Sequence, residues 1–512
     1  MMRGDSSEKI LQQYLREIRD TSSPLRPAAI KYYAEQASSY YLEHARTENT
    51  HLSTAVELLC EINHLQDPLL SRIGLEALFP NLIEKLNDSF DPILGQLYDR
   101  LFIQVISFCR KLPEYYKFDR MLNLFGLPDE GSLLARKASL TTRGVQISSQ
   151  RPLKKILFLS RVTIGADVAI TSVFISHLKK SFPTADIVLV GPPKLAQLYG
   201  GDPRLTLKPV HYGRHNSLLS RLLTWLEVVS AVEGEIKHFN KEEFIIVDPD
   251  SRLTQLGLLP IIAQNQEPET YFHFPSRYYS VPGIEKLGEL ASRWVNQITN
   301  GNSPAYPYVC LSPESNTFGR TLRHYFHANS SKPIVCLSFG TGGNTAKRIS
   351  LEFEVQLAQK LAENCHLILD SGLSPDEFQQ AHLILQSLKD SGLYVLHAQE
   401  GNDLEALLNS GSLPNAIGWI GGIGSFASIV ANSHQYIGYD SSGQHLASAL
   451  NIPSVTIFVN SGSSTFAKRW HPTALSQSTL FQFELRPNLL SSIKVTNLID
   501  QVYQLSLQNL RF

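Results

Sequence analysis

Three short stretches of this chain combine residue types that bind anions or accept protons. The first spans residues 160–172 (SRVTIGADVAITS) and contains Gly165 and Asp167. Glycine permits a tight turn, and a carboxylate at the start of a helix pairs with free backbone N–H groups. Two interpretations of Asp167 therefore stay open: a helix cap, or a carboxylate with a functional role.

The second stretch, residues 338–350 (SFGTGGNTAKRIS), has the composition of an anion-binding loop. Glycines and small polar residues let backbone N–H groups approach a phosphate, and two cations add positive charge. A diphosphate fits this chemistry, and so does a plain surface turn. The GxxxxGK[ST] spacing of ATPases is missing, which disfavours phosphoryl transfer. The candidate residues are Thr341, Gly342, Gly343, Asn344, Lys347 and Arg348.

The third stretch, residues 436–458 (YIGYDSSGQHLASALNIPSVTIF), places a turn of small residues between a strand and a helix. Hydroxyls and amides at a helix N-terminus form an anion site, and helix capping explains the two serines equally well. The histidine fits either a structural role or a hydrogen bond to a pyrophosphate. The candidate residues are Asp440, Ser441, Ser442, Gly443 and His445.

The elements that must position these stretches change in character along the chain. Up to about residue 144, apolar residues recur at helical spacing, as in Leu97, Leu101 and Val105, which predicts an all-helical part. Prolines and turn residues divide it into several helices. The polar stretch 141–152 (TTRGVQISSQRP) is the predicted linker.

Beyond the linker, strand-like runs alternate with amphipathic helices, and the alternation restarts near residue 333, as in two doubly wound parallel sheets. The predicted fold is α/β: an all-helical domain (1–145), then two Rossmann-like lobes (152–325 and 326–512) with a central cleft. Ligands bind such sheets where strands end, and all three stretches lie there. The predicted strands are 155–159, 186–190, 244–248, 271–274, 333–339, 366–370, 394–398, 435–440 and 454–459, with helices that include about 167–181, 218–232 and 254–263.

Composition and charge exclude several classes of protein. The chain is 43% hydrophobic with a formal net charge of −1, which indicates a packed core and no electrostatic footprint for nucleic acid. Five scattered cysteines without a CxxC pair predict reduced structural thiols and no zinc site. The N-terminus lacks a signal-peptide core, and no stretch is long enough to span a membrane. We expect a cytoplasmic protein with at most peripheral contact to the inner face of the membrane.

In this order, the three stretches resemble those of the heptosyltransferase-like glycosyltransferases, the family of ADP-heptose lipopolysaccharide heptosyltransferases. The resemblance covers the chain beyond residue 152 and lacks a counterpart for the helical domain. It implies a GT-B fold and an inverting transfer of a sugar, a heptose in that family, without metal or cofactor. It also implies a role in lipopolysaccharide biosynthesis.

The resemblance also implies a role for each matched residue. Asp167 is the general base that takes the proton of the acceptor hydroxyl, and Lys347 stabilises the departing diphosphate. The implied donor-binding residues are Thr341, Gly342, Gly343, Asn344, Arg348, Asp440, Ser441, Ser442, Gly443 and His445. The implied acceptor-side residues are Gly165, Arg252 and Gln255.

The chain differs from the family pattern at three places. Ala166 separates the glycine of the first stretch from its aspartate, and a second serine stands in the last motif. No tryptophan follows the lysine of the second stretch, where Ile349 comes after Arg348. Two alternatives stay open: a sugar-nucleotide epimerase, and a non-catalytic scaffold that binds a nucleotide-sugar.

The expected partners are a nucleotide-sugar donor and a glycan, lipid-linked or protein acceptor. For the helical domain, acceptor selection, self-association, docking of another protein and an inert stabilising role all stay open.

Overall fold

The computed structural model describes residues 4–20, 24–44, 53–144, 146–213, 217–402, 404–409, 411–459, 464–483 and 492–510. Residues 145 and 512, at which predicted domains end, lie outside these ranges. The chain divides into two compact units, and their boundaries differ from the predicted domain boundaries. Unit 1 comprises Met1–Val162, Val188–Pro192 and Lys208–Tyr279, and unit 2 comprises Thr163–Ile187, Pro193–Leu207 and Ser280–Phe512. The three-domain division stays a prediction.

The N-terminal part of unit 1 is helical, as predicted. Asp67 and Asp91 cap two of its helices, and the proline that follows each cap has no N–H to satisfy. The helices are α1 (Gly4–Arg19), α2 (Pro27–His44), α3 (Thr54–His64), α4 (Pro68–Leu78), α5 (Glu84–Asp88), α6 (Pro92–Arg110), α7 (Tyr116–Leu124) and α8 (Glu130–Thr142), with a π turn at Phe79–Ile83 and a 3₁₀ turn at Pro113–Tyr115.

The first sheet has five strands in the order β3-β2-β1-β4-β5. β1 pairs with β4 and β4 with β5, in both cases in parallel. The strands are β1 (Lys155–Leu159), β2 (Asp186–Gly191), β3 (Leu205–Pro209), β4 (Phe244–Asp248) and β5 (Tyr271–His273). The next helices are α9 (Ile164–Ala166), α10 (Ser172–Ser181), α11 (Ala196–Tyr199), α12 (Leu218–Ile236), α13 (Glu267–Thr270) and α14 (Leu287–Thr299), with a π turn at Asp167–Thr171 and 3₁₀ turns at Pro193–Leu195 and Arg252–Thr254.

The N-terminal helices and the first sheet share one hydrophobic core inside unit 1. Trp225 of α12 is fully buried, and it meets the ring of Phe118 of α7 edge to face at a centroid distance of 5.3 Å. Its indole N–H donates to the backbone oxygen of Pro260. The helical part is therefore packed into the first α/β unit through buried aromatic side chains.

The second sheet belongs to unit 2 and has seven parallel strands in the order β12-β11-β10-β6-β7-β9-β8. Its strands are β6 (Ile334–Ser338), β7 (His366–Asp370), β8 (Val395–Gln399), β9 (Ala416–Ile420), β10 (Gln435–Tyr439), β11 (Ser454–Val459) and β12 (Ser478–Phe483). Its helices are α15 (Pro313–Asn329), α16 (Leu351–Ala362), α17 (Pro375–Asp390), α18 (Leu404–Asn409), α19 (Ile423–Ala431), α20 (Ser442–Ala449), α21 (Ser464–Trp470) and α22 (Ser492–Leu510), with a 3₁₀ turn at Thr345–Lys347.

These two parallel sheets confirm the predicted α/β class, and each predicted strand is present within one or two residues of its predicted bounds. Three strands, β3, β9 and β12, were not predicted. The outer strands β3 and β12 are only partly buried, so they lack the continuous apolar run that marks an inner parallel strand. In β9 the central residue is Gly418, which interrupts the apolar pattern.

The predicted helix over 254–263 is wrong. Gln255, Leu256 and Gly257 all have positive φ, at 49°, 57° and 82°, and Pro260 follows three residues later. A run of left-handed residues ends any right-handed helix, and a proline lacks the N–H that a helix needs. The apolar residues of this segment are buried as a series of turns instead.

Glycine-to-alanine variants in two helices test the close packing of α15 on α19. A Cβ at Gly319 of α15 lies 2.1 Å from the backbone oxygen of Ser428 in α19, whereas a Cβ at Gly234 of α12 meets nothing within 4 Å. We expect Gly319→Ala to lower the free energy of unfolding by about 1–3 kcal/mol. The control Gly234→Ala should raise it by about 0.5–1 kcal/mol. Urea unfolding followed by circular dichroism measures both, and equal effects contradict the packing.

Candidate functional site

An ion pair joins the second and third stretches of the sequence within unit 2. The Nζ of Lys347 lies 2.6 Å from the Oδ2 of Asp440, and both side chains are partly buried, at 30% and 11% exposure. Lys347 belongs to the loop after β6 and Asp440 directly follows β10, and these strands are neighbours in the sheet. Carboxyl ends of neighbouring parallel strands meet at one edge, so sheet order brings the two charges together.

A buried glutamine extends this pair to the histidine. The side-chain Nε2 of Gln444 lies 2.8 Å from the Oδ1 of Asp440 and 3.3 Å from the Nε2 of His445. Because the amide nitrogen only donates, the Nε2 of His445 accepts, and the proton of the neutral ring is on Nδ1. Gln444 was not predicted as a site residue, although its position between the aspartate and the histidine of the motif was a usable signal.

The charge state of His445 follows from its burial. Burial lowers the pKa of His445 to about 4, and the positive charges of His471 and Lys347 act in the same direction, while Asp440 opposes them. The ring is therefore neutral near pH 7. A neutral imidazole can hydrogen-bond a sugar hydroxyl or a phosphate without adding a positive charge.

The first stretch packs directly on the third. A Cβ at Gly165 lies 3.2 Å from the Cδ2 of His445 and 3.4 Å from the Cα of Ser442. Gly165 sits inside the short helix α9, so its lack of a side chain serves this close approach and not the tight turn that was predicted. Within unit 2, the third stretch therefore contacts both the first stretch, at Gly165, and the second stretch, at Lys347.

Asp167 is buried, at 1% exposure, and is the first residue of the π turn 167–171. Its Oδ1 accepts a hydrogen bond of 2.9 Å from the hydroxyl of Thr171. The capping interpretation is wrong, because the helix begins at Ile164 and the N–H of Asp167 already bonds to the oxygen of Thr163. Isolated π turns are frequent at functional sites, where they change the direction of a side chain.

Most of the glycine-rich loop is open to solvent. Gly342 and Gly343 have φ values of 63° and 88°, and a Cβ at either position meets nothing within 4 Å. The N–H of Gly342 donates to the Oε1 of Glu377 at 3.1 Å, so a carboxylate occupies one backbone donor predicted for the diphosphate. Asn344, also exposed, accepts from the N–H of Ala346. Thr341 is half-buried in the same loop.

Arg348, a predicted donor-binding residue, forms an ion pair inside unit 2. Its guanidinium forms a two-pronged ion pair with Glu354, a fully buried residue of α16. Burial raises the pKa of Glu354, and Arg348 counteracts the rise. Such a pair is costly to break, because removing one partner leaves the other buried and uncompensated.

A serine caps the helix at the turn before α20, as one of the two interpretations predicts. The side chain of Ser441 accepts from the N–H of Gly443 at 3.4 Å and caps the helix, while Ser442 is its first residue. A Cβ at Gly443 lies 2.3 Å from the hydroxyl oxygen of Tyr436. Capping is thus present at Ser441, and anion binding by this turn stays a prediction.

Two aromatic residues that were not predicted lie beside Lys347 and His445. The Nζ of Lys347 lies 5.5 Å from the ring centroid of Phe466, and the ring of His445 lies 5.8 Å from that of Trp470. Both aromatic residues belong to α21, which follows β11. Their signal in the sequence was the run STFAKRW after a predicted strand, again at a carboxyl end.

The two remaining acceptor-side candidates belong to unit 1. The Nη1 of Arg252 donates to the hydroxyl oxygen of Tyr98 on α6 at 3.4 Å. Gln255 is buried and has a left-handed backbone conformation. Both stand in the loop that follows β4. Unit 1 therefore has a polar loop at the carboxyl end of its sheet, as the position of these residues predicts.

No group of three or more histidine, cysteine, aspartate or glutamate side chains in the part of the chain that the structure describes is arranged to hold a metal ion. No helix formed by the described residues combines the length and hydropathy of a membrane-crossing segment.

Comparison with known proteins gives weak likenesses. No protein-family profile and no curated protein sequence matches the chain. A glycosyl transferase family 9 structure from Veillonella parvula is 15% identical with a TM-score of 0.49, covering 70% of this chain and 99% of that chain.

Two further structures are similar over part of the chain. ADP-heptose lps heptosyltransferase II of E. coli is 15% identical (TM-score 0.44; 69% of this chain and 99% of that chain), and a putative UDP-N-acetylglucosamine 2-epimerase from Listeria monocytogenes is 12% identical (TM-score 0.32; 59% and 79%). Two of the three bear names from the family that the sequence resembles. At such identities and TM-scores, they carry no argument about reaction or substrate.

The buried neutral histidine predicts a pH dependence of stability. The pKa of His445 is about 4 in the folded protein and about 6.5 in an unfolded chain, so the unfolded state binds more protons between these values. Stability due to this group is therefore present above pH 6.5 and is lost as the pH falls toward 4. Burial raises the pKa of Asp370 to about 6, so its contribution to stability changes with pH in the opposite direction. This contribution is the same in wild type and in the variants compared, so it cancels in the comparison.

We expect His445→Gln to flatten this loss, by about 2–3 kcal/mol between pH 7 and pH 4. Urea unfolding at several pH values measures the slopes. The matched control is His238→Gln, which removes an exposed histidine. Parallel pH curves for wild type and His445→Gln contradict a buried neutral ring.

Proposed function

We propose that the protein is a glycosyltransferase that moves a sugar from a nucleotide-diphosphate donor to an acceptor hydroxyl. The observation that carries the proposal is the contact series within unit 2: Lys347 pairs with Asp440, the same turn carries His445, and Gly165 packs on that histidine. A cation, a helix N-terminus and a helix with a buried carboxylate thus adjoin at strand ends.

Lys347 is the proposed contact of the diphosphate. In the present arrangement its charge is balanced by Asp440, and its Nζ also lies over the ring of Phe466. A bound diphosphate competes with Asp440 for the ammonium group, which leaves the carboxylate able to accept hydrogen bonds from sugar hydroxyls. As the bond between the anomeric carbon and the diphosphate oxygen breaks, Lys347 stabilises the negative charge that collects on the leaving group.

The glycine-rich loop completes the proposed donor site. Its residues Gly342 and Gly343 are exposed, and a Cβ at either position meets nothing within 4 Å, so a phosphate can approach this side of the backbone closely. Thr341 and Asn344 supply polar side chains beside them. The N–H of Gly342 now donates to Glu377, and a phosphate oxygen is a competing acceptor for that donor.

Asp167 is the proposed general base. The hydroxyl of Thr171 donates to its Oδ1 at 2.9 Å, which helps to fix the orientation of the carboxylate that would accept the proton. The acceptor oxygen forms a bond to the anomeric carbon while its proton passes to Asp167 and the diphosphate leaves. Attack from the face opposite the leaving group inverts the configuration. The proposal includes no metal ion and no cofactor.

The proposed chemical classes of donor and acceptor come from the family resemblance. A heptose on a nucleoside diphosphate and a lipopolysaccharide precursor fit the family, and a glycan, lipid-linked or protein acceptor remains compatible with the polar loop of unit 1. Donor identity is testable directly. Purified protein is incubated with a panel of nucleotide-sugars, and nucleotide release and binding are measured. If the protein binds none of these nucleotide-sugars, the proposal is wrong.

An isosteric substitution tests the base. We expect Asp167→Asn to retain donor binding and to lose turnover by about 10²- to 10⁴-fold, because base catalysis is of that size. The matched control is Thr171→Val, which removes the hydrogen bond to the carboxylate but keeps the base. Its loss should be smaller. Unchanged turnover of Asp167→Asn assigns the base to another residue.

Lys347→Met tests the diphosphate contact. We expect donor affinity to fall by about 1.5–3 kcal/mol, the size of a charge-assisted hydrogen bond, when calorimetry measures binding of the nucleotide-sugar. Lys468→Met is the control, since Lys468 pairs with Glu285 at the exposed end of α21. Equal affinities of the Lys347→Met variant and wild type contradict the assignment.

The burial of Asp167 favours one alternative, a scaffold that binds a nucleotide-sugar without catalysis. That protein binds the donor tightly, releases no nucleotide, and is indifferent to Asp167→Asn. Product analysis distinguishes a sugar-nucleotide epimerase from a glycosyltransferase. The product of an epimerase keeps the sugar on the nucleotide and forms without an acceptor.

A further inference from the structure

The loop that follows β4 in unit 1 has an unusual backbone. Asp250, Gln255 and Leu256 have φ values of 66°, 49° and 57°, and Gly257 has 82°. Residues with a side chain rarely adopt this left-handed region, so surrounding contacts must hold them there. The loop, defined as residues 249–257, lies at the carboxyl end of a parallel strand, where doubly wound sheets bind ligands.

Two adjacent residues of α8 hold the strained end of loop 249–257. The Nη1 of Arg136 donates to the oxygen of Gly257 at 2.5 Å, and the Nζ of Lys137 donates to the oxygen of Leu256. Both side chains are almost completely buried, at 6% and 3% exposure. A buried cation donating to a carbonyl fixes that peptide group strongly, because water cannot replace it.

Each of these two cations is itself held on its other side. The guanidinium of Arg136 pairs with Glu267, which is buried beside β5, and the Nζ of Lys137 lies 3.3 Å from the Nε2 of His273. A Cβ at Gly257 lies 2.7 Å from the ring of the same histidine, so only glycine fits there. The helical part, β5 and the loop therefore form one polar contact system.

A second contact from the helical part reaches the start of the loop. Asp99 of α6 accepts from the Nη2 of Arg277 at 2.9 Å and from the hydroxyl of Tyr278 at 2.7 Å. The Nε of Arg277 lies 3.7 Å from the Oδ2 of Asp250. Burial raises the pKa of Asp250, but the charges of Arg277 and Lys137 outweigh it and hold the value at about 2. Asp250 is thus charged and anchored.

The anchored loop carries both remaining acceptor-side candidates. Gln255 is buried, and its Oε1 has no hydrogen-bond partner among the described residues. An unpaired buried acceptor is costly and is kept where a ligand or a functional constraint requires it. Arg252 contacts Tyr98 of α6, so it too rests on the helical part.

We propose that Arg136 and Lys137 make the N-terminal helical part a positioning component of the acceptor-side site, by holding loop 249–257 in its strained conformation. The assignment of this loop to the acceptor rests on the proposed function. The holding of the loop does not, since it follows from contacts inside unit 1. The helical part is then neither an inert addition nor, for this role, a docking module.

Hydrogen exchange of the full-length protein, read by mass spectrometry, tests the holding of the loop. We expect Lys137→Met and Arg136→Met each to speed exchange in peptides covering 250–257 by roughly tenfold or more. Lys137→Met is the milder change, because it leaves the pair between Arg136 and Glu267 intact. Unchanged exchange of this loop in a folded Lys137→Met protein overturns the proposal.

Arg110→Met is the matched control. Arg110 of α6 also holds a carboxylate and a backbone oxygen, those of Asp119 and Leu127, at 2.6 and 2.9 Å. It belongs to the same helical part, and its hydrogen bonds among the described residues all lie within that part. In the Arg110→Met variant, the hydrogen-exchange rate of peptides covering 250–257 should stay within about twofold of the wild-type rate. Equal acceleration by Arg110→Met means general loosening of unit 1, which also overturns the proposal.

The acceptor-side assignment has its own readout. With a nucleotide-sugar that wild type uses, Lys137→Met should keep hydrolysis of the donor by water and lose transfer to the acceptor about tenfold or more. Equal transfer despite a loosened loop overturns the acceptor role. If wild type uses no nucleotide-sugar, the proposed function fails, and the exchange measurement still decides whether the helical part holds the loop.

Discussion

The candidate site depends on one ion pair, that between Lys347 and Asp440. It connects two loops about a hundred residues apart through the adjacency of β6 and β10 in a parallel sheet. Partial burial makes the pair mutually dependent, since loss of either charge leaves the other poorly solvated. Through Gln444 the same carboxylate orients His445, so one contact sets the charge balance, the tautomer of the histidine and the position of the only lysine in the loop.

Close packing transmits this arrangement to the first stretch. Gly165 brings α9 against the turn at Ser442 and the ring of His445, and a Cβ there would make a tight contact with that ring, at 3.2 Å. Asp167, two residues after this contact, is the first residue of a π turn, and Ala166 is the last residue of α9.

Unit 1 is organised by the same physical rule on a larger scale. Its helical part contributes Asp99, Arg136 and Lys137 to the loop after β4, and each of these charges is paired or bonded to backbone. Buried charges are tolerated only with such partners. A strained loop and a set of buried cations thus stabilise each other, and the helices gain a role that extends beyond covering the sheet.

The sequence by itself determined the features that depend on local order: helices before residue 145, parallel α/β alternation after it, and three polar stretches at strand ends. Asp440, His445 and Lys347 were recognisable because glycine, serine and charge cluster after apolar runs. Tertiary structure alone decided what these residues meet. Sheet order placed Lys347 beside Asp440, and packing placed Gly165 against His445. Left-handed residues at 255–257, two of whose backbone oxygens bind side chains of α8, interrupt the predicted helix over 254–263. Local pattern fixes local hydrogen bonds, whereas partners distant in sequence are chosen by burial and sheet topology.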